Sequence, residues 1–175
     1  MEKEKMTKFK WFWAWDDDKE EKWLEAMSQN GWHLENPGFP CIYQFIQGEP
    51  RQYSYRLDFR TGSCKNLQDY LQICRDAGWE MLGRMASWYY FRKECHGGEK
   101  PEFFSDTDSK IQKYRRLLIF LSIFLPILIN GMRMAFKREG SWIFSSFGFF
   151  YVFLLLIFIY AIIRLLRRIK QLKKS

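Results

Sequence analysis

The sequence predicts an α+β protein: a duplicated β-α-β-β antiparallel sheet with two helices on one face, followed by a two-helix transmembrane hairpin. Three observations predict it. Two long uncharged runs occupy the last 75 of the 175 residues. The excess positive charge surrounds them: residues 1–100 hold 15 Lys+Arg against 16 Asp+Glu, whereas residues 101–175 hold 13 against 4. In residues 8–96, strand-like and helix-like periodicities alternate and then recur at an offset of 47. An aromatic content of 19% excludes a disordered tail. The overall charge of +8 suggests a nucleic-acid binder, but a neutral first 100 residues excludes that class.

The elements follow in order. Phe9, Trp11, Trp13 and Trp15 alternate with period two, as a strand does. Asp16-Asp17-Asp18 supplies an N-cap and a first turn that suits the helix dipole. Trp23, Leu24 and Met27 share a helix face that stops at Gly31, a C′ glycine. Strands follow at 32–35 and 41–47, separated by Asn36-Pro37-Gly38. The second copy reads as a strand through Tyr53, Tyr55, Leu57 and Phe59, then a helix with Leu67, Tyr70, Leu71 and Cys74 at i, i+3, i+4 and i+7. That helix ends at Gly78, and a hairpin over 79–84 and 88–93 closes the head. Strand parity divides an apolar face (Trp32, Leu34, Tyr53, Tyr55, Leu57, Phe59, Trp79, Met81) from a polar one (His33, Glu35, Ser54, Arg56, Asp58, Arg60, Glu80, Arg84).

Residues 1–96 are thus a cytosolic head and 97–116 a linker and juxtamembrane helix. The first span is 117–136, with Pro126 inside it and Arg133 able to snorkel. A turn at 137–141 forces a hairpin. The second span, 142–163, is about 33 Å long as a helix and matches a hydrocarbon core of about 30 Å. A basic tail, 164–175, follows. Ten basic residues flank the two outer ends, among them Arg115, Arg116, Arg164, Arg167, Arg168 and Lys170, which are placed to meet anionic lipid. Three lie at the hairpin side, so the positive-inside rule predicts a multi-pass cell-membrane protein with both termini cytoplasmic. The N-terminus lacks the apolar core of a signal peptide, and the four cysteines are expected to be free thiols.

The chain resembles the bacterial domain family of unknown function numbered 2812. The residues that carry the resemblance are Glu21-Lys22-Trp23-Leu24, Gly31-Trp32-His33-Leu34, Tyr53-x-Tyr55-Arg56-Leu57-Asp58-Phe59, Tyr70-Leu71, Asp76-Ala77-Gly78-Trp79-Glu80, Tyr90-Phe91-Arg92 and Phe104-Ser105-Asp106. The resemblance implies a cytosolic head joined to transmembrane segments. It also implies a regulatory role, through neighbouring PadR-type transcription regulators, and supplies no catalytic residues.

No nucleotide-binding, zinc-protease or hydrolase motif occurs, which predicts a non-enzyme without a cofactor or metal. Cys95-His96 lacks further ligands, and Asp16-Asp17-Asp18 is explained by a helix start. Two binding sites are expected instead. Trp11, Trp13, Tyr53, Tyr55, Trp79 and Tyr90 are candidates to line an aromatic pocket for a small effector, although single-face parity favours ordinary core packing. Arg56, Asp58 and Arg60 are candidates for a protein-partner surface on the polar face, against a plain solvated face. The expected function is a membrane-anchored regulatory or sensory protein that binds a protein partner or a small effector, and no nucleic acid. The alternative is an accessory subunit of a membrane transporter.

Overall fold

The computed structural model of the chain describes residues 4–61, 64–95, 101, 107–137 and 142–174. They fall into two compact units, Met1–Ser105 and Asp106–Ser175. The first contains β1 (Lys5–Phe9), α1 (Asp17–Gln29), β2 (Trp32–Gly38), β3 (Ile42–Gln47), β4 (Tyr53–Phe59), α2 (Cys64–Asp76), β5 (Glu80–Met85) and β6 (Trp88–Glu94). The second contains α3 (Thr107–Lys137) and α4 (Trp142–Leu172). The α+β class and the pair of long apolar C-terminal helices agree with the sequence.

The strands form two antiparallel three-stranded sheets, β1-β3-β2 and β4-β6-β5, in place of the single sheet expected. In each, the third strand in sequence takes the centre. β2 and β5 lie beside one another. Both shift register there, between Leu34 and Asn36 and between Met81 and Gly83. Pro37 has no N–H to donate, and a Cβ on Gly83 would stand 3.0 Å from Asn36 Oδ1 and Pro37 Cδ. Two bulged strands meeting at a proline approach closely without sharing a ladder.

The main core gathers Leu24 and Met27 from α1, Leu34, Tyr43 and Phe45 from the first sheet, and Tyr55, Leu57 and Tyr90 from the second. Each fully buried Leu or Phe among them contributes about 1.5–3 kcal/mol. A second cluster holds Cys74, Trp79, Tyr89 and Phe91, with Leu67, Tyr70 and Leu71 of α2 against it. Tyr89 and Phe91 therefore point away from Tyr90, as neighbours on a strand must. It follows that α1 and α2 lie on opposite faces of β6, which corrects the expectation of both helices on one face. The physical reason is the run Tyr89-Tyr90-Phe91, buried throughout, which needs cover on both sides.

α1 also closes the free edge of β4. Glu21 Oε1 accepts the Leu57 N–H at 2.9 Å, and Arg56 Nη1 lies 3.1 Å from Glu25 and 3.6 Å from Glu21. An edge strand whose amide is held by a helix side chain is no longer a template for another chain. Asp16 occupies the N-cap but makes no side-chain cap bond; it pairs with Lys19 at 3.0 Å instead. Gly31 and Gly78 follow the helix ends with φ of +78° and +80°, as the C′ positions require.

β1 ends at Phe9, earlier than the alternation of Trp11, Trp13 and Trp15 suggests. The ladder stops there because its partner β3 begins at Ile42, after Cys41 with φ of +56°; beyond it Phe12, of the same parity as Met6, packs inward on Trp23 and Tyr43. A turn then forms, closed by the Asp16 N–H on the Trp13 carbonyl.

In the second unit α3 and α4 pack antiparallel. Phe124 meets Phe158, Phe136 meets Phe149, and Arg168 lies 5.1 Å from the Tyr114 ring. Small residues allow the close approach: a Cβ on Gly131 would fall 2.6 Å from the Tyr151 ring, and Ala135 and Ala161 are buried. The outward faces present Ile119, Ile123, Ile127, Phe149, Phe153 and Leu156. Lys110–Phe136 and Gly148–Leu172 are long and apolar enough to cross a membrane.

Candidate functional site

The six aromatics expected to form one pocket do not meet around one cavity. Tyr55 and Tyr90 belong to the main core, with Tyr53 half-buried beside them. Tyr53 packs edge-on to His33 and lies under the Arg92 guanidinium. Trp79 belongs to the second cluster. Trp11 and Trp13 are exposed. Parity is a property of one strand and does not carry over from β4 to β5 or to a segment outside any sheet.

The polar face expected to receive a partner is turned inward. Asp58 is fully buried; it accepts from Tyr70 Oη at 2.9 Å and from Arg60 Nε at 3.0 Å. The Arg60 guanidinium stacks 3.3 Å over the Tyr70 ring. Burial, with Asp58 adding to it, pushes the Tyr70 hydroxyl well above its ordinary pKa and keeps it a donor. Arg56 is committed to Glu21 and Glu25. Ser54 and His33 are buried as well. Arg56 thus fastens α1 to β4, and Asp58 with Arg60 ties Tyr70 of α2 to the end of β4, at positions that parity alone assigns to solvent; the His33 ring instead bonds to the Glu49 carbonyl at 2.8 Å.

The sequence reading missed a carboxyl. Glu20 of α1 is 5% exposed and receives Tyr43 Oη at 2.7 Å from the first sheet and Tyr90 Oη at 2.5 Å from the second. Burial raises its pKa to about 7; the bonds from Tyr90 and Tyr43 oppose the rise, and the nearby Asp17 charge adds to it. The signal was available: Glu20 lies at i, i+4 and i+7 with Leu24 and Met27, on the buried helix face. Enclosed by the core, it can gain or lose a proton, but it does not reach a surface where a substrate would stand.

An open groove lies where α2 gives way to β5. It has a volume of about 440 Å³ and is lined by Leu71, Arg75, Gly78, Trp79, Glu80 and Met81. Trp79 and Leu71 supply apolar lining, with Met81 exposed. Arg75 and Glu80 place opposite charges in the lining, Glu80 being bound to Arg92 at 2.7 Å. The groove arises from the αL glycine at 78, which turns the chain sharply from α2 into β5.

The basic residues expected to meet lipid lie at one end of the helical pair, at the start of α3 and the end of α4. Arg115, Arg167 and Lys170 are exposed; Arg116, Arg164 and Arg168 are half-buried. Among the described residues, no group of three or more His, Cys, Asp or Glu side chains is placed to hold a metal ion. Cys41, Cys74 and Cys95 are free thiols, and His96 lies outside the described residues.

Together these features define a two-part protein, an α+β head followed by a pair of apolar helices. Residues 16–126 match the family model described as "Protein of unknown function (DUF2812)", and the chain belongs to that family. No curated protein and no solved structure matches the chain.

Proposed function

We propose that this is a membrane-anchored binding protein without catalytic activity, whose head docks a protein partner in the groove between α2 and β5. The helical pair supports the anchoring part of this reading. Among the described residues its outward faces carry many large apolar side chains, and its charge is concentrated where α3 begins and α4 ends. By the positive-inside rule both ends lie in the cytoplasm, in a multi-pass cell-membrane protein.

The groove carries the binding part. An apolar lining with an exposed methionine and opposite charges is the anatomy of a protein-binding patch. The occupant that fits is a segment of a protein partner carrying one large apolar side chain, with an acidic and a basic residue to face Arg75 and Glu80. A regulatory role follows if that partner is a transcription regulator. The role of transporter accessory follows if it is a membrane permease.

A photo-crosslinking residue at Met81 in cells tests this reading. It is expected to give one defined adduct, identified by mass spectrometry, that the same probe at the exposed Gln44 of β3 does not give. No adduct, or the same adducts at both positions, overturns the groove as the docking site.

A further inference from the structure

The exposed aromatic residues of the head have no role in the proposed docking. Phe9, Trp11, Trp13 and Phe39 are 67%, 56%, 43% and 78% exposed. They belong to two separate segments that the fold brings to one end of the first sheet. Phe9 pairs with Ile42 in the ladder, and the Lys10 N–H donates to the Cys41 carbonyl at 3.1 Å. This places the segment after β1 beside the turn that carries Phe39. Trp11 packs edge-on to Trp13 at 5.8 Å, and Trp13 stacks on the buried Trp15 at 5.0 Å. The rings are thus held outward by other rings. Packing already has its aromatic here: Phe12 turns in against Trp23 and Tyr43, so exposure of its neighbours is not demanded by the core.

In sequence Lys8 precedes these rings and Lys10 lies among them; Lys8 Nζ is 3.7 Å from Met27 Sδ, and of the acids that follow Trp15, Asp17 is buried and Asp18 half-buried. Lys8 and Lys10 are exposed, and Lys10 Nζ is kept at this end by the faces of Trp23 (4.7 Å) and Phe12 (5.2 Å). The acidic side chain of Asp16 is buried and paired with Lys19. Trp and Phe interleaved with Lys is the composition that settles at a lipid–water interface: the rings sit at head-group level and the ammonium groups meet anionic phosphates. At protein interfaces lysine is depleted instead.

We infer that the end of the first sheet bearing Phe9, Lys10, Trp11, Trp13 and Phe39 binds the surface of an anionic bilayer. The inference rests on the reading that α3 and α4 span that bilayer. The covalent link makes it feasible: only residues 95–106 separate β6 from α3, a reach of at most about 40 Å when fully extended.

The test uses the full chain in nanodiscs of phosphatidylcholine and phosphatidylglycerol, one chain per disc so that a second copy cannot cover the patch. The lipids are brominated in the shallow part of the acyl chains, and tryptophan emission is compared with unbrominated discs. Of the eight Trp, Trp142 begins α4 and the other seven lie in the head. In Trp142→Phe, bromination is expected to remove roughly a quarter of the remaining emission, the share of two rings in seven at the interface. Adding Trp11→Phe and Trp13→Phe should abolish that loss. Unchanged emission in Trp142→Phe overturns the inference, as does a loss that survives the triple substitution. The difference between wild type and Trp142→Phe reports separately on the helical pair. If Trp142 is quenched and the head is not, the anchor stands and the inference falls; if Trp142 is not quenched, the membrane reading itself falls. Protection of the patch found only with two chains per disc would make it a contact between copies and would also refute the lipid assignment.

Discussion

Replacing Glu20 by glutamine should remove a pH dependence that is built into the head. The carboxyl has a pKa of about 7 in the folded chain, against 4.5 for the unperturbed group, and burial is the largest cause. A raised carboxyl pKa means that the folded state holds its proton more tightly than the unfolded state. The associated stability is fully present below about pH 4.5 and is lost as pH rises through about 7. The difference of about 2.5 pH units corresponds to roughly 3 kcal/mol. Glutamine keeps an oxygen to accept from Tyr43 and Tyr90 and cannot ionise. The stability difference between wild type and Glu20→Gln should therefore change by roughly 3 kcal/mol between pH 4.5 and pH 8, in favour of the variant at high pH. Hydrogen exchange of the β3 and β6 amides in the full chain, expressed as protection factors, measures this. A change in exchange of roughly a hundredfold is expected where opening requires loss of the α1 contact. A wild type and variant whose protection differs by the same factor at every pH would show that Glu20 does not bind its proton more tightly in the fold.

Three further outcomes are expected. Arg60→Ala leaves Asp58 buried with one partner fewer and should destabilise the head by about 3 kcal/mol, whereas Arg51→Ala, from the exposed pair with Glu94, should cost no more than about 1 kcal/mol in the same denaturation experiment. Gly31→Ala should be worse than Gly78→Ala: both impose a Cβ on a positive φ at roughly 1–2 kcal/mol, but at Gly31 the Cβ also falls 2.7 Å from the Gly48 carbonyl oxygen, while at Gly78 it meets only the flexible Lys93 chain at 3.4 Å. For the membrane topology, Ser141→Cys should label with an impermeant thiol reagent from outside intact cells and Ser175→Cys should not; the reverse pattern would invert the orientation.

Much of the head, the start of α1 and the ends of both its helices could be read from residues 8–96, because local rules govern them. Gly31 and Gly78 had to follow helices since only glycine adopts positive φ without cost. The two apolar runs were legible as long helices, since their length and lack of charge are those of segments able to cross a membrane, where backbone bonding must be satisfied within the segment. What local pattern cannot express is which surface covers which. Asp58 reads as part of a solvated face because β4 alternates; Tyr70 of α2 turns that position into an interior, and Tyr70 and Arg60 serve there as partners for the carboxylate. Glu20 reads as one more acidic residue in the first turns of α1. It becomes a buried proton site only because Tyr43 and Tyr90, 23 and 70 residues away in the chain, converge on it. Trp11 and Trp13 show the opposite case, aromatic residues whose alternation implies a core. The ring of Phe12 takes that place, and the chain beyond β1 leaves the two tryptophans at the surface. Propensity and periodicity act within a few residues of a position, whereas burial is set by whatever the rest of the chain brings to it.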